Sequence, residues 1–191
     1  MFSGESHDTS ETSPLDPRTE YGRQKRLAER QLSLLGPQLS ILRLTKVLCA
    51  ETPLLRQWHA AWEKGQTIYP FSELLLAPVS LPYAVSALMQ IGRARQNGTF
   101  HLSGARDLSY AELALLYARA LGVSAQAIAA RSSQGVDLVY RPHHAALKMD
   151  ATAAATDIRA QPIDDVLADL AREQLPSMGT DDPMSPPFPA L

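Results

Sequence analysis

The sequence predicts an α/β protein, and its composition and charge exclude several other classes. Short apolar runs alternate with helical stretches, and glycine or proline stands between them. The composition is that of a globular chain, with 45% hydrophobic and 20% charged residues in 191. Lys+Arg is 18 and Asp+Glu is 20, a net charge of -2, so no basic excess points to nucleic acid or an anionic membrane. No apolar run approaches the ~20 residues of a membrane span. The N-terminal MFSGESHDTSETS is too polar and acidic for a signal peptide. The single cysteine, Cys49, excludes an intramolecular disulfide and argues against a cysteine-based zinc site. It is expected to behave as a small hydrophobe. The expected setting is the cytoplasm, with no nucleic-acid or membrane partner.

Residues 5–20 are polar, carry Pro14 and Pro17, and are expected to be exposed and irregular. A helix is expected from Tyr21 to Leu35, stopped by Gly36-Pro37. The apolar run 39–48 reads as a strand. Thr52-Pro53 opens a second helix that ends near Gly65, with the threonine as cap and proline in the first turn. Residues 67–79 read as extended, broken by Pro70 and Pro78. A helix at 81–96 and a strand at 99–104 follow. Ser109-Tyr110-Ala111-Glu112 has the spacing of a capping box and starts a helix that Gly122 ends. A short helix is expected at 124–130, a strand at 136–141 and a final helix at 162–174. Asp164 and Asp165 suit the positive N-terminal end of that last helix. The stretch 176–191 has five prolines and is expected to be a disordered tail.

The ten glycines are too scattered to write G-x-G-x-x-G or a P-loop. The chain therefore carries no glycine-rich phosphate cradle of its own. What it does carry is Tyr21-Gly22-Arg23-Gln24-Lys25, a Y-x-x-x-K at the start of a helix. Spacing i, i+4 places both side chains on one face, a turn apart. An ammonium beside a phenol favours the phenolate and lowers the tyrosine pKa from about 10. Such a tyrosine can pass a proton to a carbonyl oxygen or take one from an alcohol. With six tyrosines and four lysines, such a pair arises by chance about 0.13 times, and a solvated helix face is the bland alternative.

The surroundings of that pair resemble a known family. Phe2-Ser3-Gly4-Glu5, Ser13-Pro14-Leu15-Asp16-Pro17 and Tyr21 to Lys25 with Glu29 resemble one region of the extended short-chain dehydrogenase/reductases, in the dTDP-4-dehydrorhamnose reductase branch. Ile41-Leu42-Arg43-Leu44-Thr45, Ala77-Pro78-Val79-Ser80, Thr99 to Gly104 and Leu108 to Glu112 resemble later segments of it, in the same order. The resemblance covers residues 1–175. It implies a nicotinamide cofactor, NADPH or NADH, that reduces a ketone on a nucleotide sugar. It also implies that Tyr21 gives the proton while Lys25 binds the cofactor ribose and tunes Tyr21. The family's third group, a serine or threonine, lies before the Phe2 block and has no counterpart here; Ser3 stands where relatives have Asp.

The implied fold is a partial Rossmann-like one that lacks the N-terminal glycine-rich βαβ units, with a small α/β substrate-binding lobe. Three upstream βαβ steps of ~30 residues each correspond to about 100 residues that are not in this sequence. Residues 1–48 would be the remnant of the dinucleotide-binding domain, 49–175 mainly the nucleotide-sugar lobe, and 176–191 the tail. A start codon placed too late in the reading frame would account for such a fragment. Strand 39–48 is then expected to have an unpaired edge, and the chain to be poorly soluble or dependent on a homo-oligomer or partner chain that supplies the missing half. The alternative is a non-catalytic sugar-nucleotide-binding or regulatory protein of the same descent, such as the regulatory subunit of methionine adenosyltransferase.

Other residues have two readings each. Arg43 and Arg106 could hold a pyrophosphate, which Arg suits by its bidentate geometry, or could be ordinary surface arginines. Trp58, with Trp62 four residues on, could stack on the substrate or form a core face. His143-His144 read as loop histidines, and no metal is expected, because no carboxylate or cysteine stands at ligand spacing. His101 is expected in the core or at a sheet edge.

Overall fold

The computed structural model describes residues 2–174. An irregular segment leads to helix α1 (Glu20–Leu32). The α-helix ends three residues earlier than expected and continues as a 3-10 turn, Ser33–Gln38, kinked at Gly36 (φ 67°, ψ -145°). That backbone suits glycine, and Pro37 then blocks any return to helix.

The expected strand 39–48 is two strands, β1 (Ser40–Leu44) and β2 (Lys46–Leu48). The chain changes partner at Thr45. β1 runs parallel to β5 (Gly98–Leu102), with Leu42 beside Phe100 and Leu44 beside Leu102. β2 runs parallel to β4 (Pro78–Ser80), with Val47 beside Val79. Thr45 N–H donates to the Leu102 carbonyl at 3.0 Å, so the crossover residue keeps its backbone satisfied. Among the described residues β1 pairs with β5 alone, and its other edge is open.

Helix α2 (Pro53–Glu63) starts at the expected proline, but Thr52 does not cap it; its hydroxyl turns back to accept from Cys49 N–H at 2.9 Å. The extended stretch 67–79 makes parallel bridges from Ile68 to Ile128 and from Phe71 to Arg131. It then forms β3 (Leu75–Leu76), antiparallel to β6 (Leu108–Ser109). Helix α3 (Leu81–Arg93) is capped by Ser80, whose hydroxyl accepts from Tyr83 N–H. Helix α4 (Tyr110–Ala120) is capped by Ser109, which accepts from Glu112 N–H at 3.0 Å. Only half of the capping box forms, because the Glu112 carboxylate binds Arg106 instead.

Residues 136–141 form no strand. Val136 N–H closes a turn on Ser133, and the Val136 carbonyl accepts from the Arg141 side chain, so the backbone of Val136 is taken up by local contacts instead of a ladder. The expected short helix is a 3-10 turn, Ala125–Ala127. Helix α5 (Asp150–Ala155) was not anticipated, and α6 (Ile163–Gln174) was. The segment before α1 is not uniformly exposed, since Thr9 and Glu11 are buried. The expected disordered tail lies outside the described residues.

Two apolar clusters hold this α/β arrangement together. Leu55 and Trp58 of α2, Leu113 and Tyr117 of α4, and Val166 and Leu170 of α6 form one. Val79, Phe100 and Leu102 of the parallel strands meet Ala84, Ala87 and Ile91 of α3 in the other, closed by Met149 and Ile158. The helical members recur at three- and four-residue spacing, one buried stripe per helix. Among the described residues no helix is long and apolar enough to cross a membrane.

Candidate functional site

Thr19 sets the start of α1. Its hydroxyl accepts from Gly22 N–H at 3.0 Å, which puts Tyr21 in the first turn and Lys25 one turn later. Tyr21 is 68% exposed, and Lys25 Nζ stands 5.4 Å from the centroid of its ring. The pair expected from the spacing is therefore together and open to solvent. Of the residues of α1 only Gly22 is buried. Leu27, Leu32, Leu34 and Leu35, on and just after α1, and Leu44 at the end of β1 are exposed.

A cleft of ≈ 350 Å³ lies between the β1–β2 junction and the loop 140–147. Phe2, Gly4 and Thr9 form one wall, Leu44, Thr45 and Lys46 another, and Tyr110, Tyr140 and His144 a third. It adjoins a second hollow of ≈ 420 Å³ that reaches Glu73, Ser133, Arg141 and His143; both touch Leu74, Leu75, Pro142 and His144. The loop is irregular yet firmly fixed. The Gly4 carbonyl accepts from His143 and His144 N–H at 3.0 and 2.8 Å. Asp107 Oδ1 accepts from Ala145 and Ala146 N–H at 2.8 and 2.6 Å, and Leu147 N–H donates to Ser103 Oγ at 3.0 Å. Gly4 is necessary to this packing: its φ is +74°, and a Cβ there would come within 2.5 Å of the Tyr140 hydroxyl oxygen.

The chemistry of the cleft is apolar walls with a few polar ends, the usual make-up of a small-molecule site. Burial pushes the Tyr110 phenol above its usual range, and burial with Glu5 nearby does the same to Tyr140. Both therefore present neutral phenols to the cleft. Arg141 is held by Ser133 Oγ and the Ser133 and Val136 carbonyls, at 2.7, 2.7 and 2.6 Å. All three acceptors are neutral.

The three residues considered as substrate contacts from sequence have protein partners. Arg43 faces Glu29, and Arg106 Nη2 lies 2.6 Å from Glu112 Oε1. Trp58 is buried in the α2–α4–α6 core. None of the three lines the cleft. Of the residues that do line it, His144 reads from the sequence only as a loop histidine, and the lining comes from five separate stretches that no spacing connects. Among the described residues no cluster of three or more His, Cys, Asp or Glu side chains is arranged to hold a metal.

Among curated proteins none matches this chain. Solved structures do. A dTDP-4-dehydrorhamnose reductase from Bacillus anthracis, in complex with NADP, superposes with a TM-score of 0.81 at 15% identity, over 91% of this chain and 62% of its own. The Clostridium acetobutylicum reductase gives 0.77 at 16% identity, over 90% and 61%. The dTDP-glucose 4,6-dehydratase DesIV from Streptomyces venezuelae gives 0.70 at 18% identity, over 88% and 55%. The chain thus spans about three-fifths of the reductases it matches. These likenesses establish a Rossmann-like fold, of which this chain is one part. The family pattern of the RmlD substrate-binding domain runs over residues 1–175, taking in Tyr21, Lys25 and every wall of the cleft, and to that family the chain belongs.

Proposed function

We propose that this chain is the catalytic-helix and substrate-binding part of an NAD(P)-dependent reductase that acts on a nucleotide-linked keto sugar. The observation that carries the reading is the exposed Tyr21–Lys25 pair on a capped helix, in a chain of this family. In this reading the Tyr21 hydroxyl hands its proton to the keto oxygen as that oxygen gains charge, and the Lys25 ammonium stabilises the phenolate left behind. The nicotinamide cofactor, when bound, supplies the hydride. The residues present fit only its ribose and nicotinamide end. Nothing here writes a glycine-rich turn for its pyrophosphate, so the rest of the cofactor site must come from elsewhere. The open edge of β1 and the exposed leucines offer the surface for those further strands and helices. The substrate lies in the cleft, with its sugar or base against Tyr110 and Tyr140 and its diphosphate toward Lys46 and Arg141.

Two measurements test this. Titration calorimetry with dTDP on the 191-residue chain is expected to give saturable binding that Arg141→Ala and Tyr110→Ala weaken. A glycine-rich nucleotide-binding half, supplied by fusion or in trans, is then expected to give NAD(P)H oxidation on a dTDP-linked 4-keto sugar. Tyr21→Phe should lower that rate by about 10²–10⁴-fold. Retained activity in Tyr21→Phe would remove Tyr21 from the mechanism. The missing glycine-rich turn favours a second reading, a non-catalytic sugar-nucleotide-binding or regulatory protein. Binding of dTDP without turnover in any such assembly would select it.

A further inference from the structure

A buried polar cluster lies beneath the helix that carries Tyr21 and Lys25. Its members come from β1, β5, α1, α5 and the segment before α1. Arg43 Nε meets Glu29 Oε1 at 3.0 Å, and Arg43 Nη2 meets Glu29 Oε2 at 2.8 Å. These side chains are only 11% and 15% exposed. Arg43 Nη1 reaches the Glu11 carbonyl at 3.3 Å and His101 Nε2 at 3.5 Å. The Phe2 ring covers the guanidinium at 5.3 Å and packs edge-on against the His101 ring at 5.5 Å. Glu11 is buried, and its carboxylate accepts from Thr152 N–H and Oγ at 3.2 and 3.3 Å.

His101 is fully buried at the centre. Its Nδ1 lies 2.9 Å from the Lys148 carbonyl, which can only accept, so Nδ1 carries the proton. Nε2 then has its lone pair toward Arg43. A second proton on that nitrogen would face the guanidinium at the same short range and turn an acceptor into a repelling charge. The charges around the ring are Arg43 from β1, Glu29 from α1 and Glu11 from the N-terminal segment. The Lys148 ammonium is paired with Asp8, at 3.0 Å. Burial is the largest influence on the ring and holds its pKa below 6.5, and Arg43 acts the same way; the hydrogen bond to the Lys148 carbonyl, Glu11 and Glu29 act against them.

Glu29 matters to the site because of where it sits. Tyr21, Lys25 and Glu29 follow one another at i, i+4 and i+8 on one face of α1. Gly22 aside, α1 buries no residue, so the Glu29–Arg43 contact is its principal side-chain anchor to the sheet. We propose that His101 is a positioning residue for α1: its neutral ring holds Arg43 square to Glu29, and a second proton on it releases that anchor, so that Tyr21 and Lys25 lose their fixed place. This does not depend on which reaction the pair serves.

The test is amide hydrogen exchange on the 191-residue chain, read as protection factors for α1 and, as a control, for α4. From about pH 7.5 to about pH 5.5, α1 protection is expected to fall while α4 keeps its own. The fall should reach at most about tenfold, because only the unit between the free imidazole value of about 6.5 and pH 5.5 lies in that window. His101→Gln can accept from Arg43 but cannot take a proton, so it should keep α1 protected at both values. Glu29→Gln should lower α1 protection at both values alike. Equal α1 protection at the two values in the wild type overturns the proposal, as does an unchanged pH response in His101→Gln. Should that variant fail to fold, the histidine ring titration of the wild type decides. A Gly22 amide shift that follows the His101 midpoint supports the proposal, and one that ignores it overturns it.

Discussion

Gly104 lies against the Ala77–Pro78 peptide, so close that a Cβ there would stand 2.5 Å from the Pro78 carbonyl oxygen and 2.9 Å from the Ala77 carbonyl carbon. The contact sits where three segments meet. Just past the end of β5, Ser103 accepts from Gln161 N–H at 3.0 Å, and Ala105 N–H donates to Gln161 at 2.9 Å. The Gln161 side chain in turn accepts from Ser80 N–H at 2.8 Å, at the end of β4. Because the atoms in the way are backbone, no rotamer change can relieve an added methyl group. Gly104→Ala should therefore cost about 1–3 kcal/mol, in the range of an overpacked core. Urea unfolding should show a lower midpoint at an unchanged slope. An unchanged midpoint would mean that the peptide moves aside freely.

Much of the helical part of this fold is local and was legible as such. Pro53 starts α2, Ser109 caps α4, and Gly36-Pro37 ends the run after α1, each by chemistry within four residues. The strands were less legible because their limits depend on distant partners. Nothing near Thr45 reveals that β1 pairs with residues 98–102 while β2 pairs with 78–80. The apolar run 136–141 looks like a strand until Arg141 takes the Val136 carbonyl. Glu11 gives no local sign of burial; its place is set by Thr152, 141 positions away. The site divides in the same way. Tyr21 and Lys25 share a helix face and announce themselves, whereas the cleft is assembled by loop contacts such as the Gly4 carbonyl on His143 and His144.

Trp62 is a case where an apparent loss should be nearly neutral. Its Nε1–H is buried and has no hydrogen-bond partner among the described residues. Its ring packs at 6.3 Å from Trp58 and 5.9 Å from Tyr117. A buried unsatisfied donor costs about 1–3 kcal/mol. Trp62→Phe removes that donor and keeps an aromatic ring against both neighbours, at the expense of some volume. The two effects oppose each other, so the net change in unfolding free energy should stay within about 1 kcal/mol. Trp62→Ala, which removes the ring as well, should cost about 3–5 kcal/mol. Trp58 fluorescence follows both unfolding curves. A loss above about 2 kcal/mol for Trp62→Phe would mean that the indole N–H has a partner after all.

Glu73 sets a pH dependence at the edge of the candidate cleft. Its carboxylate takes hydrogen bonds from the Ser132 side chain and from Ser133 N–H, the latter at 2.9 Å, and these hold its pKa down to about 2. In the unfolded chain the same carboxyl titrates near 4.5. The folded state therefore binds the proton less readily than the unfolded state. Its contribution to stability is fully present above about pH 4.5 and is lost as the pH falls toward 2. Glu73→Gln has no charge to lose. It should be less stable than the wild type at neutral pH, and the gap should close as the pH approaches 2. Urea midpoints of the two proteins across that range read the difference directly, and carbon NMR of the side-chain carboxyl gives its midpoint. A gap of the same size at both ends would mean that the serine hydrogen bonds do not depend on the charge.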